Sequence, residues 1–216
     1  MSRRIPLFPL PGVVLLPGII LPLHIFEQRY RAMVADALEG NRTIGMAMLK
    51  PGWESAEAGP PPAVHEIGGA GEIIEFEELE DGRYNILLEG RFRYRILKED
   101  AAAAPYRTAC VEEIASIPFG NPDEEERVSR MALGLFTKVQ GELDLPPVPD
   151  GNLSPERLAS EMALRLRYTA EELQALLETD SLSARFGALV GRMVEWQRRI
   201  QFLAPFRPGE LDVTQN

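Results

Sequence analysis

The chain is poor in the residues on which most sequence-readable chemistry depends. It has one cysteine, Cys110, and two histidines, His24 and His65, in 216 residues. A single cysteine excludes an internal disulfide and a cysteine-rich metal site, and makes the cytoplasm the simplest compartment. His24 and His65 stand far apart with no metal-ligand spacing, so no metal site is expected, and a lone histidine beside apolar chain reads as a packing or capping residue. No G-x-x-x-x-G-K-S/T stretch is present to hold a nucleotide. The glycines of "GGAGE" (68–72) lack the spacing of a dinucleotide-binding turn and precede a strand, so no cofactor is expected. Positive charge is also scarce: 23 Lys and Arg against 33 Asp and Glu give a formal net charge of -10. Such a surface repels phosphate backbones on average and disfavours nucleic acid as a partner, though a local basic patch would be compatible with it.

A continuous membrane span is missing too. The stretch from Ile5 to Leu23 carries no charge, but Pro6, Pro9, Pro11, Pro17 and Pro22 interrupt every turn a helix there would have. Each interior proline removes a donor and costs about 3 kcal/mol. Arg3 and Arg4 imitate the basic start of a secretion signal, yet no small-x-small cleavage site follows closely. The nearest, Ala35-Asp36-Ala37, lies inside a helical pattern. The stretch reads as extended chain lining a core, with a first strand ending near Leu16 and a turn at Pro17-Gly18.

What is present is an ordered series of local signals. Tyr30, Met33, Val34, Ala37 and Leu38 recur at helical spacing up to a stop at Gly40-Asn41. "TIGMAML" (43–49) reads as a strand, and "KPGWESAEAGPPPAV" (50–64) as a variable, mobile loop. "GEIIEFEEL", Asp81-Gly82 and "RYNILLEG" form a hairpin signature, followed by "RFRYRILKE" and the strand "YRTACVEEI" (106–114). This much antiparallel sheet without a βαβ rhythm favours a strongly curved sheet or a closed barrel, which leaves no exposed edges. After Pro118 the pattern turns helical, with helices expected at 123–140, 155–166, 170–178 and 182–203 and a fraying tail. Asn121 caps the first of them, and Thr169 with Glu172 forms a capping box on the third. The division predicted is a sheet unit over 1–118 and a helical unit over 119–216.

No catalytic constellation emerges, and no catalytic residue is assigned. Cys110 in a strand reads as a small core residue without a partner base. Acidic runs around the first hairpin and at 123–126 read as solvated faces and helix caps. The charged feature of most interest is the series Arg91, Arg93 and Arg95, which strand alternation places on one face. These three either solvate the sheet or hold a carboxylate or phosphate, since a guanidinium fork recognises both. Trp53 in the proline-rich loop is large enough to anchor a partner, while Trp196 in the last helix either anchors or packs.

The order and spacing of "IPLFPLPGVVLLPGIILPLHIFEQRY", "TIGMAML", "HEIGGAGEIIEFEELEDGRYNILLEGRFRYRI" and "AEELQALLETDSLSARFGAL" resemble the amino-terminal domain of Lon proteases over nearly the whole chain. The resemblance implies an α+β fold: a PUA-like β pseudobarrel with an early helix, followed by a C-terminal helical bundle. Phe8, Pro17, Pro22, Phe26, Arg29 and Tyr30 match the opening motif, and Gly68, Gly90 and Phe92 match the sheet motifs; all are carried over as structural residues. In Lon proteases this domain handles substrate proteins, and later domains hydrolyse ATP and cut peptides. Those domains have no counterpart in this sequence, so the expectation is a stand-alone, non-catalytic module that binds unfolded protein or peptide segments. A groove would use an exposed strand, with Trp53 or Tyr94 supplying pockets. A PUA-like RNA-binding module using Arg91, Arg93 and Arg95 is the alternative, and a hydrolase built around His24 or His65 a more distant one. Self-association through a sheet edge or the helical half is compatible with either binding role.

Overall fold

The computed structural model describes residues 2–55, 61–101 and 104–203. The expected fraying of the tail and part of the proline-rich loop, residues 56–60, lie outside the described residues. Six strands precede four helices, with one further helix inserted early. The order is β1 (Ser2–Leu10), β2 (Ile20–Ile25), α1 (Gln28–Glu39), β3 (Thr43–Met48), β4 (Ile67–Glu78), β5 (Tyr84–Glu99) and β6 (Arg107–Ile114). Then come α2 (Pro122–Leu143), α3 (Pro155–Arg165), α4 (Ala170–Glu178) and α5 (Leu182–Leu203).

The two runs "RYNILLEG" and "RFRYRILKE" are one strand, and its length closes the sheet. The Tyr84–Glu89 half of β5 pairs with β2, and the half beyond Arg93 pairs with β6. The strand order is β2-β5-β4-β3-β1-β6, with β6 also returning to β5. Five strands therefore close into a barrel while β2 is added at its side, leaving one edge of β2 unpaired within the sheet. All pairs are antiparallel except β1 with β3. Pro22 suits this edge strand, where a missing N–H costs no ladder bond and discourages pairing with another chain. At the hairpin, Gly82 takes φ +74° and Asp81 accepts a hydrogen bond from the Arg83 amide.

The first strand ends at Leu10, earlier than the turn at Pro17-Gly18 suggested. Pro11-Gly12 is an additional turn, with Gly12 at φ +66°. Between the two turns the chain runs as an irregular strap over β4 and β5. Its path is set by glycines: a Cβ on Gly69 would lie 1.8 Å from the Leu15 carbonyl oxygen, and one on Gly90 would lie 2.2 Å from that of Leu16. Only a residue without a side chain permits that approach. Gly90 also exchanges hydrogen bonds with the far end of the strap, accepting from the Gly18 amide and donating to the Ile19 carbonyl, both at 2.8 Å.

Adjacent residues of the strap belong to different cores. Leu15 joins Phe8, Tyr30, Met33, Ile73, Ile86 and Leu88 in the cluster that seats α1 on the sheet. Leu16 joins Phe136, Met162, Leu177, Phe186 and Leu189 among the helices. A further cluster, Ile5, Leu7, Ala70, Tyr94, Ala109 and Val111, comes from the barrel strands alone. Tyr94 is fully buried there and donates to the Met46 carbonyl at 2.9 Å. Gly68 makes room for it, since a Cβ at that position would stand 2.3 Å from the Tyr94 hydroxyl oxygen.

The helices begin where their caps predict. Asn121 accepts from the Glu124 amide, Ser154 from that of Arg157, and Thr169 with Glu172 forms the complete capping box. Polar ties fasten the helical layer to the sheet: Gln174 donates to the Ile67 carbonyl at 2.8 Å and His65 pairs with Glu178 at 2.9 Å. No helix among the described residues is long and apolar enough to cross a membrane.

Candidate functional site

The sheet of β2, β5 and β4 has one face against α1 and one turned away from it. Leu21, Leu23 and Ile25 alternate towards the buried side with Leu88, Ile86 and Tyr84. The opposite face is built in three cross-strand rows. Ile20 lies beside Glu89 and Glu72, Pro22 beside Leu87 and Glu75, and His24 beside Asn85 and Glu77. Cross-strand neighbours share a face at side-chain contact range, so each row is a physical unit.

A bulge makes this surface possible. The register of β4 on β5 shifts between Ile73 and Glu75, so that Ile73 opposes Leu88 while Glu75 opposes the next residue, Leu87. Without the extra residue Glu75 and Glu77 would share the inward face of Ile73; with it they turn outwards. The result is a groove of about 550 Å³ lined by Pro22, Leu23, His24, Phe76 and Leu87, with Glu75 and Glu77 along one wall. Large apolar groups remain in water beside it: Ile20 is 45% exposed and Phe26 63%. Phe26 stacks on His24 with ring centroids 6.3 Å apart.

The polar groups of the groove are ordered. His24 Nδ1 lies 2.7 Å from Asn85 Oδ1 and therefore donates to it. Asn85 Nδ2 donates to Glu77 at 2.9 Å, and Arg83 lies 3.3 Å from His24 Nε2. In this arrangement His24 Nδ1 faces the Asn85 carbonyl oxygen and Nε2 faces the Arg83 guanidinium. Among the described residues these contacts run only between Arg83, His24, Asn85 and Glu77, and they fix the orientation of His24 and Asn85. Arg91 is occupied by Glu72 at 3.0 Å and Glu89 at 2.7 Å, and Arg83 by Asp81 at 2.7 Å. Glu75 has no ion pair or hydrogen bond among the described residues, so the β4 wall carries uncompensated negative charge.

The five candidate binding residues do not meet on this surface. Arg91 borders it at the Glu72–Glu89 row. Arg93 requires correction: it is 1% exposed, donating to the Leu177 carbonyl and to Asp180, both at 2.6 Å. Alternation placed it with Arg91, but the register shift between Ala70 and Gly71 turns Arg93 to the face of Gly69 and Gly90, which the strap and α4 cover, while Arg91 stays with Glu72 and Glu89. Tyr94 likewise requires correction, because it fills the barrel and offers nothing to a ligand. Arg95 is exposed further along β5, so the arginine series forms no continuous positive strip. Trp53, 37% exposed in a short 3-10 turn at Trp53–Ser55, stands outside the groove lining.

The motif residues divide between core and groove. Phe8 and Tyr30 pack at 4.4 Å between ring centroids, and Arg29 lies 4.4 Å over the Tyr30 ring while pairing with Glu27. Burial of the Tyr30 hydroxyl pushes its pKa up. Pro17 lines the helical core beside Leu16, and half-buried Phe92 lies under the Arg3 guanidinium at 4.5 Å. Pro22 and Phe26 instead face solvent at the groove. His24 and His65 serve different regions, His65 being held by Glu178. No group of His, Cys, Asp and Glu among the described residues has a metal-holding arrangement.

The residues missed in the sequence are Ile20, Leu87, Asn85, Glu75 and Glu77. One local signal pointed to them: Leu87 is apolar at an outward position of a strand whose inward positions are Tyr84, Ile86 and Leu88.

The family model for the ATP-dependent protease La (LON) substrate-binding domain matches residues 4–195. That region is distinct from the ATPase and protease domains. The chain is 28% identical to Lon protease of Xanthomonas oryzae pv. oryzae over 221 residues, covering 98% of this chain and 23% of that protein. It is 30% identical to Lon protease of Dictyoglomus thermophilum over 188 residues, covering 84% of this chain and 23% of the relative. It thus spans about a quarter of the length of the curated relatives it matches. Among solved structures, the N-terminal domain of a Mycobacterium avium complex Lon protease superposes with a TM-score of 0.66 at 16% identity, covering 89% of this chain and 98% of that one. The Lon N-terminal domain protein from Xanthomonas campestris gives 0.62 at 21% identity, covering 88% and 98%. At these identities the structural likeness is one of fold.

Proposed function

The chain belongs to the LON substrate-binding domain family, and from that premise we propose that it is a non-catalytic module binding extended segments of unfolded protein on the outward face of β2, β5 and β4. The observation that carries the reading is the groove of about 550 Å³ on the outward face, with Ile20 and Phe26 left largely exposed beside it. An apolar, concave surface with a few fixed polar groups suits side chains that a folded protein would keep inside. Because Pro22 blunts the free edge of β2, the segment lies across the face and is held chiefly by side-chain contacts. The cytoplasm is the compartment proposed, in keeping with the lone unpaired Cys110.

An RNA-binding role receives less support. Arg93 is buried, Arg91 is neutralised by two glutamates, and the exposed carboxylates of β4 would repel a phosphate backbone.

The test is fluorescence anisotropy with a labelled, permanently unfolded polypeptide, comparing the wild type with Leu87→Asp. Leu87 is only half-buried and faces outwards, so the substitution leaves the circular dichroism spectrum unchanged and weakens binding about tenfold or more. Unchanged affinity in a folded Leu87→Asp protein would remove the groove from consideration.

A further inference from the structure

We infer that the groove selects segments in which large apolar residues alternate with lysine or arginine; this rests on the peptide-binding reading above and adds a charge preference to it. The two walls of the groove are chemically unlike. Towards β2 the surface is apolar, with Ile20, Pro22 and Phe26 exposed and Leu87 at its centre. Towards β4 it is acidic, with Glu75 and Glu77 pointing the same way.

The cations nearby are already committed. Arg91 is shared between Glu72 and Glu89, and Arg83 is held by Asp81 while facing His24. Arg42 lies over the Phe76 ring, its guanidinium 6.0 Å from the centroid, which places it on the α1 side of the sheet. Glu75 is left without a cationic partner among the described residues, and Glu77 is met only by the neutral amide of Asn85. A bound segment therefore meets two carboxylates whose charge the protein has not balanced.

Spacing then sets the pattern. Residues two apart on a strand are separated by about 6.6 Å, and an extended ligand has the same repeat. Lysine or arginine at alternate positions can thus reach Glu75 and Glu77 together, while apolar residues beside them lie on Pro22, Leu87 and Ile20. Their aliphatic stems add contact area as the charged heads turn to the acidic wall. A second copy of this chain is a poor occupant on the same grounds, because its net charge of -10 opposes approach to an acidic wall.

The experiment uses three fluorescein-labelled peptides of equal length and apolar content whose intervening positions are all lysine, all glutamine or all glutamate. Binding to the full chain is expected in the order lysine, glutamine, glutamate. Each exposed ion pair contributes modestly, so the lysine peptide should bind about three- to tenfold more tightly than the glutamine peptide at low salt. The preference should collapse near 1 M salt, where the screening length is about 3 Å. The double variant Glu75→Gln, Glu77→Gln should abolish the preference between the lysine and glutamine peptides.

Equal affinities for lysine and glutamine peptides, tighter binding of the glutamate peptide, or a preference that survives the double variant would each overturn the charge selection while leaving peptide binding intact. Failure of all three peptides to bind would overturn both readings. Competition from self-association, seen as peptide affinity falling with protein concentration while Leu87→Asp dissociates a dimer, would assign the face to a second copy and overturn the inference.

Discussion

Replacing Asp180 by alanine removes the carboxylate paired with the buried guanidinium of Arg93. The pair is lopsided: Arg93 is 1% exposed and Asp180 46%. Removing the carboxylate strands a cation inside the protein, whereas removing the cation returns a carboxylate to water. Arg93 Nη1 already lacks a partner, and Arg185, 5% exposed, is a second positive charge close enough to be felt. Burial, followed by the charge of Arg93, pulls the pKa of Arg185 down. Breaking a buried pair by deleting one member costs 3–5 kcal/mol when the survivor is left buried. The Leu177 carbonyl, at the negative end of α4, still receives Arg93 Nε, so a value near the lower limit, about 3 kcal/mol, is expected for Asp180→Ala. Arg93→Met keeps the stem's packing and removes the charge and the unpaired Nη1 together, leaving a cost of about 1 kcal/mol. For a chain of this size that corresponds to melting-point losses of roughly 6–12 °C and 2–4 °C. The order is the informative part, because the more exposed partner should be the more damaging one to lose. The hydrogen bond from Arg93 also holds the Asp180 carboxyl below its ordinary 3.8. A depressed carboxylate stabilises the fold above its unfolded pKa and loses that contribution as pH falls through the folded one, so wild-type stability should drop below about pH 4. Asp180→Asn should flatten that acid limb. Urea titrations followed by circular dichroism at pH 7 and down to pH 3 give both quantities. Equal destabilisation by Arg93→Met and Asp180→Ala would show that the stranded cation carries no special cost.

Other substitutions probe the strap, the barrel and the helix ends. Gly69→Ala should prevent recovery of folded protein on expression, because its Cβ would meet the Leu15 carbonyl at 1.8 Å. Gly134→Ala, in α2 with nothing within 4 Å of the added methyl, should instead raise stability by about 0.5–1 kcal/mol in thermal melts. Tyr94→Phe should cost about 1–2 kcal/mol in urea titration by leaving the buried Met46 carbonyl without its donor. Thr169→Ala, which removes half of the capping box, should cost about 1 kcal/mol by the same measurement.

Helices were legible in the sequence because their ends are local chemistry. α4 and α5 occupy the predicted 170–178 and 182–203, and the Asn121, Ser154 and Thr169 caps act within three residues of themselves. The hairpin at Asp81-Gly82 was legible for the same reason. The end of β1 was not, because the opening stretch holds two Pro-Gly turns and only the packing of the strap on Gly69 and Gly90 selects what each does. Alternation put Arg91, Arg93 and Arg95 on one face, and it failed because the register shift between Ala70 and Gly71 separates Arg91 from Arg93, a shift that only strand pairing reveals. The groove was hidden for a stricter reason. It joins β2, β5 and β4, and the orientation of Glu75 and Glu77 depends on a one-residue shift between Ile73 and Glu75 that only strand pairing reveals.

The strap also bears on the order of synthesis. Leu16, placed early by the chain's opening stretch, is destined for a core whose last partners, Phe186, Leu189 and Met193, are made near the end. At roughly 5–20 residues per second, about ten to thirty seconds separate their translation. During that interval the barrel strands are complete while Val14, Leu16 and Ile19 lack the helical surfaces that will cover them. A nascent chain of this kind therefore presents an unburied apolar segment of its own until its last helix is made.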